Sequence, residues 1–169
     1  MRLFRSSGVV GIAEPALEFV LEACRDTHPD EYMGFLRGED ARKLGLDRDG
    51  TVITDVLVIP GTESSPTSAS VKRQMKPNDV RAQGSVHSHP NGVLRPSDTD
   101  LNTFSSGDVH VIVGAPYDWD SWQAYDGSGE RRSLEVLDVS LPEEEFFDFD
   151  QADIDAELDD DRWDHGERR

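Results

Sequence analysis

Leu17, Val20, Leu21 and Cys24 recur at helical spacing. They predict an amphipathic helix over residues 15–25 with that stripe turned to the core. Glu14 and Pro15 suit its first turn. His28-Pro29 should end it, because the residue before a proline is pushed out of the helical region. Residues 32–37 read as a short strand closed by Gly38, and residues 52–59, rich in β-branched side chains, as a strong strand. A Ser/Thr/Pro loop over 61–70 leads to a short exposed strand, 71–75, and a short helix near 78–82. Residues 84–89 read as a strand running into the turn cluster Pro90-Asn91-Gly92. Then come a helix over 97–104, a buried strand over 109–114 and another over 121–125. Asp126-Gly127-Ser128-Gly129 is a hairpin-type turn into a strand over 134–139. Helices and strands mix without strict alternation, so an α+β fold is expected.

The 169-residue length suits one domain with one core. The apolar runs, 56–59 and 109–113, are far too short to span a membrane. The first fifteen residues, MRLFRSSGVVGIAEP, lack a secretory signal pattern. A cytoplasmic protein is expected. Cys24 is the single cysteine, which excludes an internal disulfide and any cysteine-based zinc site.

Charge divides the chain unevenly. Thirteen acidic and three basic residues follow Pro142, a net −10. The remainder carries 22 acidic and 14 basic residues, a net −8. Two regions are therefore expected: a domain over 1–141 and an acidic, largely disordered tail over 142–169, with aromatic residues Phe146, Phe147, Phe149 and Trp163 among its acids. A strongly acidic surface repels phosphates, so neither nucleic acid nor an anionic membrane is an expected partner. Dispersed acidity with only three lysines against 14 arginines fits a halophile's cytoplasm. Repulsion between carboxylates should then loosen the fold in dilute salt. The melting temperature is expected to rise from low to molar KCl; a flat or falling profile would contradict this.

The chemistry concentrates in GSVHSHPNGVLRPSDTDLNTF. His87 and His89 are two apart, and on a strand both imidazoles face the same way. Two nitrogens could then reach one metal; two solvent-facing histidines are the plain alternative. Ser97 and Asp100 have the spacing of a capping box with Asp in place of Glu. Alternatively, a turn brings Asp100 beside the strand end as an oxygen ligand. Two histidines and one carboxylate leave a fourth zinc position for water, as in catalytic sites. Glu31 stands at the start of a strand, but spacing alone does not single it out among so many acids.

Taken together, the order Glu31, His87-Ser88-His89-Pro90, Ser97 and Asp100 resembles the JAMM motif of the MPN-plus zinc metalloproteases. HPDEYMGFLRG is similar to the family's glutamate segment, GSVHSHP to its metal strand and RPSDTDLNTF to its serine–aspartate helix. VHVIVGAPYDWDSWQAYDGSGE resembles the strands that follow in small archaeal members. The resemblance runs from about Glu14 to Val139. It implies a curved mixed β-sheet flanked by helices, broadly like the cytidine deaminase fold. It implies one zinc ion per chain on His87, His89 and Asp100, Glu31 as general base and then acid, and Ser97 as donor to the oxyanion. The implied partners are ubiquitin-like small modifier proteins ending in Gly-Gly, released from lysine conjugates or linear fusions by an isopeptidase. In the family, the region of 67–75 lies beside the zinc, and an exposed strand edge there would hold such a tail by backbone hydrogen bonds.

Rival readings remain. A deaminase needs His-x-Glu and a Pro-Cys-x-x-Cys pair, which one cysteine rules out. A peptidase maturing a sulfur-carrier protein fits the same residues. A non-catalytic MPN scaffold should have lost a ligand or the glutamate, and neither is lost. His28, His110 and His165 have no partner at ligand spacing. His110 opens a buried strand and reads as a core residue or a neighbour of the site; Cys24 reads as a small core residue.

Overall fold

The computed structural model describes residues 8–57, 63–65, 68–70, 82–104 and 107–141. Strand β1 (Val9–Ala13) runs straight into helix α1 (Glu14–Thr27). β2 (Met33–Asp40), a 3-10 turn (Ala41–Leu44) and β3 (Thr51–Leu57) follow. The short strands β4 (Glu63–Ser65) and β5 (Ser68–Ser70) pair with each other in a separate two-stranded sheet. Next are β6 (Ala82–His89), α2 (Asp98–Thr103), β7 (Val109–Gly114), β8 (Trp122–Tyr125), β9 (Arg131–Arg132) and β10 (Glu135–Leu137). Eight strands form one curled mixed sheet in the order β10-β1-β3-β2-β6-β7-β8-β9. The expected α+β class and curved mixed sheet are what is observed. Among the described residues, no helix is long and apolar enough to cross a membrane.

Strand alternation divides the interior. The larger core joins Ala16, Leu17, Val20, Leu21 and Cys24 of α1 to Ile12, Leu36, Val52, Ile53, Val86, Val111 and Val113 of the sheet. Burial pushes the Cys24 thiol up to about 12, so it is an inert core side chain. The opposite face carries a smaller cluster of Phe104, Ile112 and Tyr125. On β6, Val86 belongs to the first face, so Ser85, His87 and His89 must lie on the second.

Several elements differ from the sequence reading. Residues 61–70 contain the β4–β5 hairpin rather than only a loop. Gly38 does not close β2; the β2–β3 register shifts between Arg37 and Gly38, and β2 continues to Asp40. A Cβ at Gly38 would press against Thr51 and the Val52 carbonyl, so glycine here serves a bulge and a close approach. The turn at 126–129 does make a hairpin, but its second strand is the two-residue β9. The predicted 134–139 strand shortens to β10 and crosses to the far edge, parallel to β1. Residues 71–75, most of the helix expected near 78–82, and the tail 142–169 lie outside the described residues; Ala82 itself opens β6.

Candidate metal centre

The buried polar residues of the described chain are Glu31, Ser85, His87, Ser88, His89, Asp100 and His110. Burying a polar group is costly, so such a concentration around one strand marks a site rather than a core. β6 carries four of them and is paired on both sides, antiparallel to β2 and parallel to β7. Gly84 permits that packing, because a Cβ there would overlap the Val109 carbonyl.

The β2–β6 register brings in Glu31. Met33 pairs with His87. The Ser88 N–H donates to the Tyr32 carbonyl at 2.9 Å, and the Tyr32 N–H donates to Ser88 Oγ at 2.7 Å. One step further along this antiparallel ladder sets Glu31 opposite His89, on the His87 face. Glu31 is only 8 % exposed.

α2 brings in Asp100. Ser97 caps the helix: its Oγ accepts from the Asp100 N–H at 3.2 Å, and its own N–H donates to Asp100 Oδ2 at 2.7 Å. The Ser97 hydroxyl also donates to Oδ2, at 2.8 Å. The capping box and the approach to the histidines therefore coexist, as His89 Nε2 lies 3.0 Å from Asp100 Oδ2 and His87 Nδ1 lies 3.9 Å from Oδ1. Burial pushes the Asp100 carboxyl up, but the bonds from His89 and Ser97 outweigh it and leave its pKa at about 2.

His89 and Asp100 face each other as two acceptors. Nδ1 of His89 lies 2.7 Å from the Val93 carbonyl, which can only accept, so Nδ1 carries the proton. In the neutral ring Nε2 is then a lone pair aimed at a carboxylate, and a proton or a cation must stand between them. Burial draws the His89 pKa down, yet Asp100, the Val93 carbonyl and the Glu31 charge together hold it above its ordinary value. His87 has both ring nitrogens buried and without a hydrogen-bond partner among the described residues. Burial lowers its pKa to about 4, against the opposing charge of Asp100, so it is neutral at pH 7 with a lone pair available.

Among the described residues, no group of three His, Cys, Asp or Glu side chains stands as a finished metal cage. Asp100 Oδ2 takes the His89 and Ser97 bonds, and Oδ1 faces His87. The donor set fits zinc all the same. Bonds of 2.0–2.1 Å in a tetrahedron put ligand atoms about 3.3 Å apart. The observed 3.0 and 3.9 Å lie on either side of that spacing. The Val93 carbonyl behind His89 is the partner a ligating imidazole requires.

Two features escaped the sequence reading. Ser85 Oγ lies 2.8 Å from Nδ1 of His110, whose ring stacks on Phe104 with centroids 4.3 Å apart, two register positions along the β6–β7 ladder from His87. Burial lowers the His110 pKa to about 4. The other is Tyr117, bonded to His28. Both depend on pairings between distant segments, and only the burial of His110 had a signal in the sequence.

The eight-stranded curled sheet, with the two α-helices of the described residues, is the JAB1/MPN fold. It overlays a JAB1/MPN domain protein from Archaeoglobus fulgidus with a TM-score of 0.57 and 33 % identity, covering 76 % of this chain and all of that one. A solved structure described as JAMM, a metalloprotease-like zinc site in the proteasome and signalosome, overlays with a TM-score of 0.56 and 31 % identity, over 77 % of this chain and 99 % of the other. Residues 13–125 match the family described as prokaryotic homologs of the JAB domain. The chain belongs to that family. It is also 66 % identical over 160 residues to a probable metalloprotease of Haloferax volcanii, covering 94 % of this chain and 99 % of the relative.

Proposed function

We propose that this chain is a JAMM-type zinc peptidase that cleaves after the C-terminal Gly-Gly of ubiquitin-like small modifier proteins. It would release them from lysine conjugates or linear fusions. The observation that carries the proposal is His87: an imidazole, 1 % exposed, beside a carboxylate and with neither nitrogen hydrogen-bonded among the described residues. Its relatives' descriptions as a probable metalloprotease and a metalloprotease-like zinc site support the same reading.

In this proposal His87, His89 and Asp100 hold one zinc ion per chain. A bound zinc supplies a water acidic enough to ionise near pH 7 and polarises the scissile carbonyl. Glu31, opposite His89 in the ladder, takes the proton of the attacking water and returns it to the departing amine. Ser97 is the assigned donor to the substrate oxyanion; its one hydroxyl proton, which rests on Asp100 Oδ2, would turn to the substrate. A Gly-Gly tail has no side chains to read, so its recognition must come from backbone hydrogen bonds. The segment 67–75 supplies them in this proposal; within it, Ser68–Ser70 is a strand.

Zinc-loaded protein should be incubated in molar KCl with an isopeptide-linked modifier conjugate and, in parallel, a linear modifier–peptide fusion. The expected result is release from at least one, abolished by chelator and restored by zinc. Cleavage of the linear fusion alone would favour maturation of a sulfur carrier over deconjugation. Absence of cleavage of both, with zinc bound, would refute the substrate assignment.

A further inference from the structure

Tyr117 holds a backbone conformation that aromatic residues rarely adopt. Its φ is +63°, in the left-handed region that crowds Cβ in every residue but glycine. Such a conformation persists only where surrounding contacts fix it, and these positions cluster at functional sites. Here the Tyr117 N–H donates to the Gly114 carbonyl at 2.9 Å. Arg25, in the last turn of α1, donates through Nη2 to the Tyr117 carbonyl at 2.7 Å. The hydroxyl meets Nδ1 of His28 at 2.7 Å, and the two rings stand edge to face, 5.6 Å between centroids. Tyr117 is buried but His28 is exposed, so packing alone does not account for that bond.

The bond holds the segment that leads to Glu31. His28 caps α1 through its N–H to the Cys24 carbonyl. The Asp30 N–H donates to the Thr27 carbonyl at 3.0 Å, Glu31 follows, and Ser88 then grips Tyr32 through both of its backbone partners. Glu31 is thus suspended between two anchors, Ser88 on one side and the His28–Tyr117 bond on the other. Burial is the main cause that raises the Tyr117 pKa, and the nearby Glu31 carboxylate adds to it.

We propose that Tyr117 is a positioning residue for Glu31: its hydroxyl, through His28, fixes residues 28–31 and with them the direction in which the carboxylate faces His89. This rests on the reading of Glu31 as proton carrier. A residue that served only the core would do as well as phenylalanine, which keeps the ring and loses only the hydroxyl.

In the zinc-loaded protein, Tyr117→Phe and His28→Ala should each lower kcat about 10- to 100-fold, the scale of a misaligned catalytic group. KM and zinc content should stay unchanged. The double variant should be no slower than either single, because both remove one linkage. His28→Asn, which offers the phenol an amide partner, should recover much of the rate. Amide hydrogen exchange reads the same linkage without a substrate. In Tyr117→Phe, the amides of residues 30–32 should exchange about tenfold faster while β7 stays protected. Wild-type kcat in folded Tyr117→Phe, or multiplicative losses in the double variant, would overturn the proposal. If the wild type cleaves neither Gly-Gly substrate, the proposed function fails instead. Exchange then decides alone, and unchanged rates at residues 30–32 overturn the role of Tyr117.

Discussion

A His87→Leu protein is expected to lose zinc and hydrolysis completely and yet, with chelator present, to melt no lower than the wild type. Both halves follow from one environment. His87 is 1 % exposed, and neither ring nitrogen has a hydrogen-bond partner among the described residues. Leaving a buried polar group unpaired costs about 1–3 kcal/mol, and an apolar side chain of similar size removes that cost. Asp100 does not become an orphan, because it keeps His89 and both Ser97 donors. Metal analysis and calorimetry with and without chelator read the two halves separately. Full zinc occupancy in the variant would end the assignment of His87 as a ligand. A markedly lower melting temperature in chelator would mean that the imidazole serves the fold.

Glu31→Gln should keep its zinc and lose hydrolysis by about 10²–10⁴-fold, the usual contribution of a general acid–base group. The amide has nearly the shape of the carboxylate but cannot accept the proton. The ladder sets Glu31 opposite His89, which makes it a neighbour of the donors; the three assigned ligands are His87, His89 and Asp100. Zinc content and single-turnover cleavage, measured on one preparation, separate the two roles. Loss of zinc from this variant would make Glu31 a ligand and leave the proton carrier unassigned.

Local pattern sufficed where one segment decides its own conformation. The β-branched run of β7 and the apolar stripe of α1 were readable because burial on a strand or a helix face writes its period into the chain. The H-x-H pair was readable for the same reason, since alternation sends both imidazoles to one face. β1 has no local signature, because five residues flush against a helix leave no turn between them. The destination of β10 goes with it, because the parallel partner of β10 is β1. Gly38 looked like a stop and is a bulge, a distinction made by the β3 and β6 neighbours rather than by the segment itself. In the site, Ser97 and Asp100 were legible as a cap, and the structure adds the approach to His89. Glu31 could not be chosen among 35 acids by spacing. Its selection came from the family resemblance, and its burial and register from the β2–β6 ladder. The Val93 carbonyl and the Tyr117 hydroxyl had no local signature at all.

The two faces of the sheet have consequences for descent. The face toward α1 holds most of the apolar core, while the face toward α2 holds the costly polar groups. A lineage could therefore abandon the second face without endangering the first. In the proposed function, an apolar residue at His87 would remove the chemistry and also the cost of an unpaired buried imidazole, so drift alone would favour inert descendants. Only selection for the chemistry opposes that slope. Domains of this architecture should accordingly give rise to non-enzymatic scaffolds repeatedly and independently, whereas recovery of a lost centre, which needs several costly burials at once, should be rare.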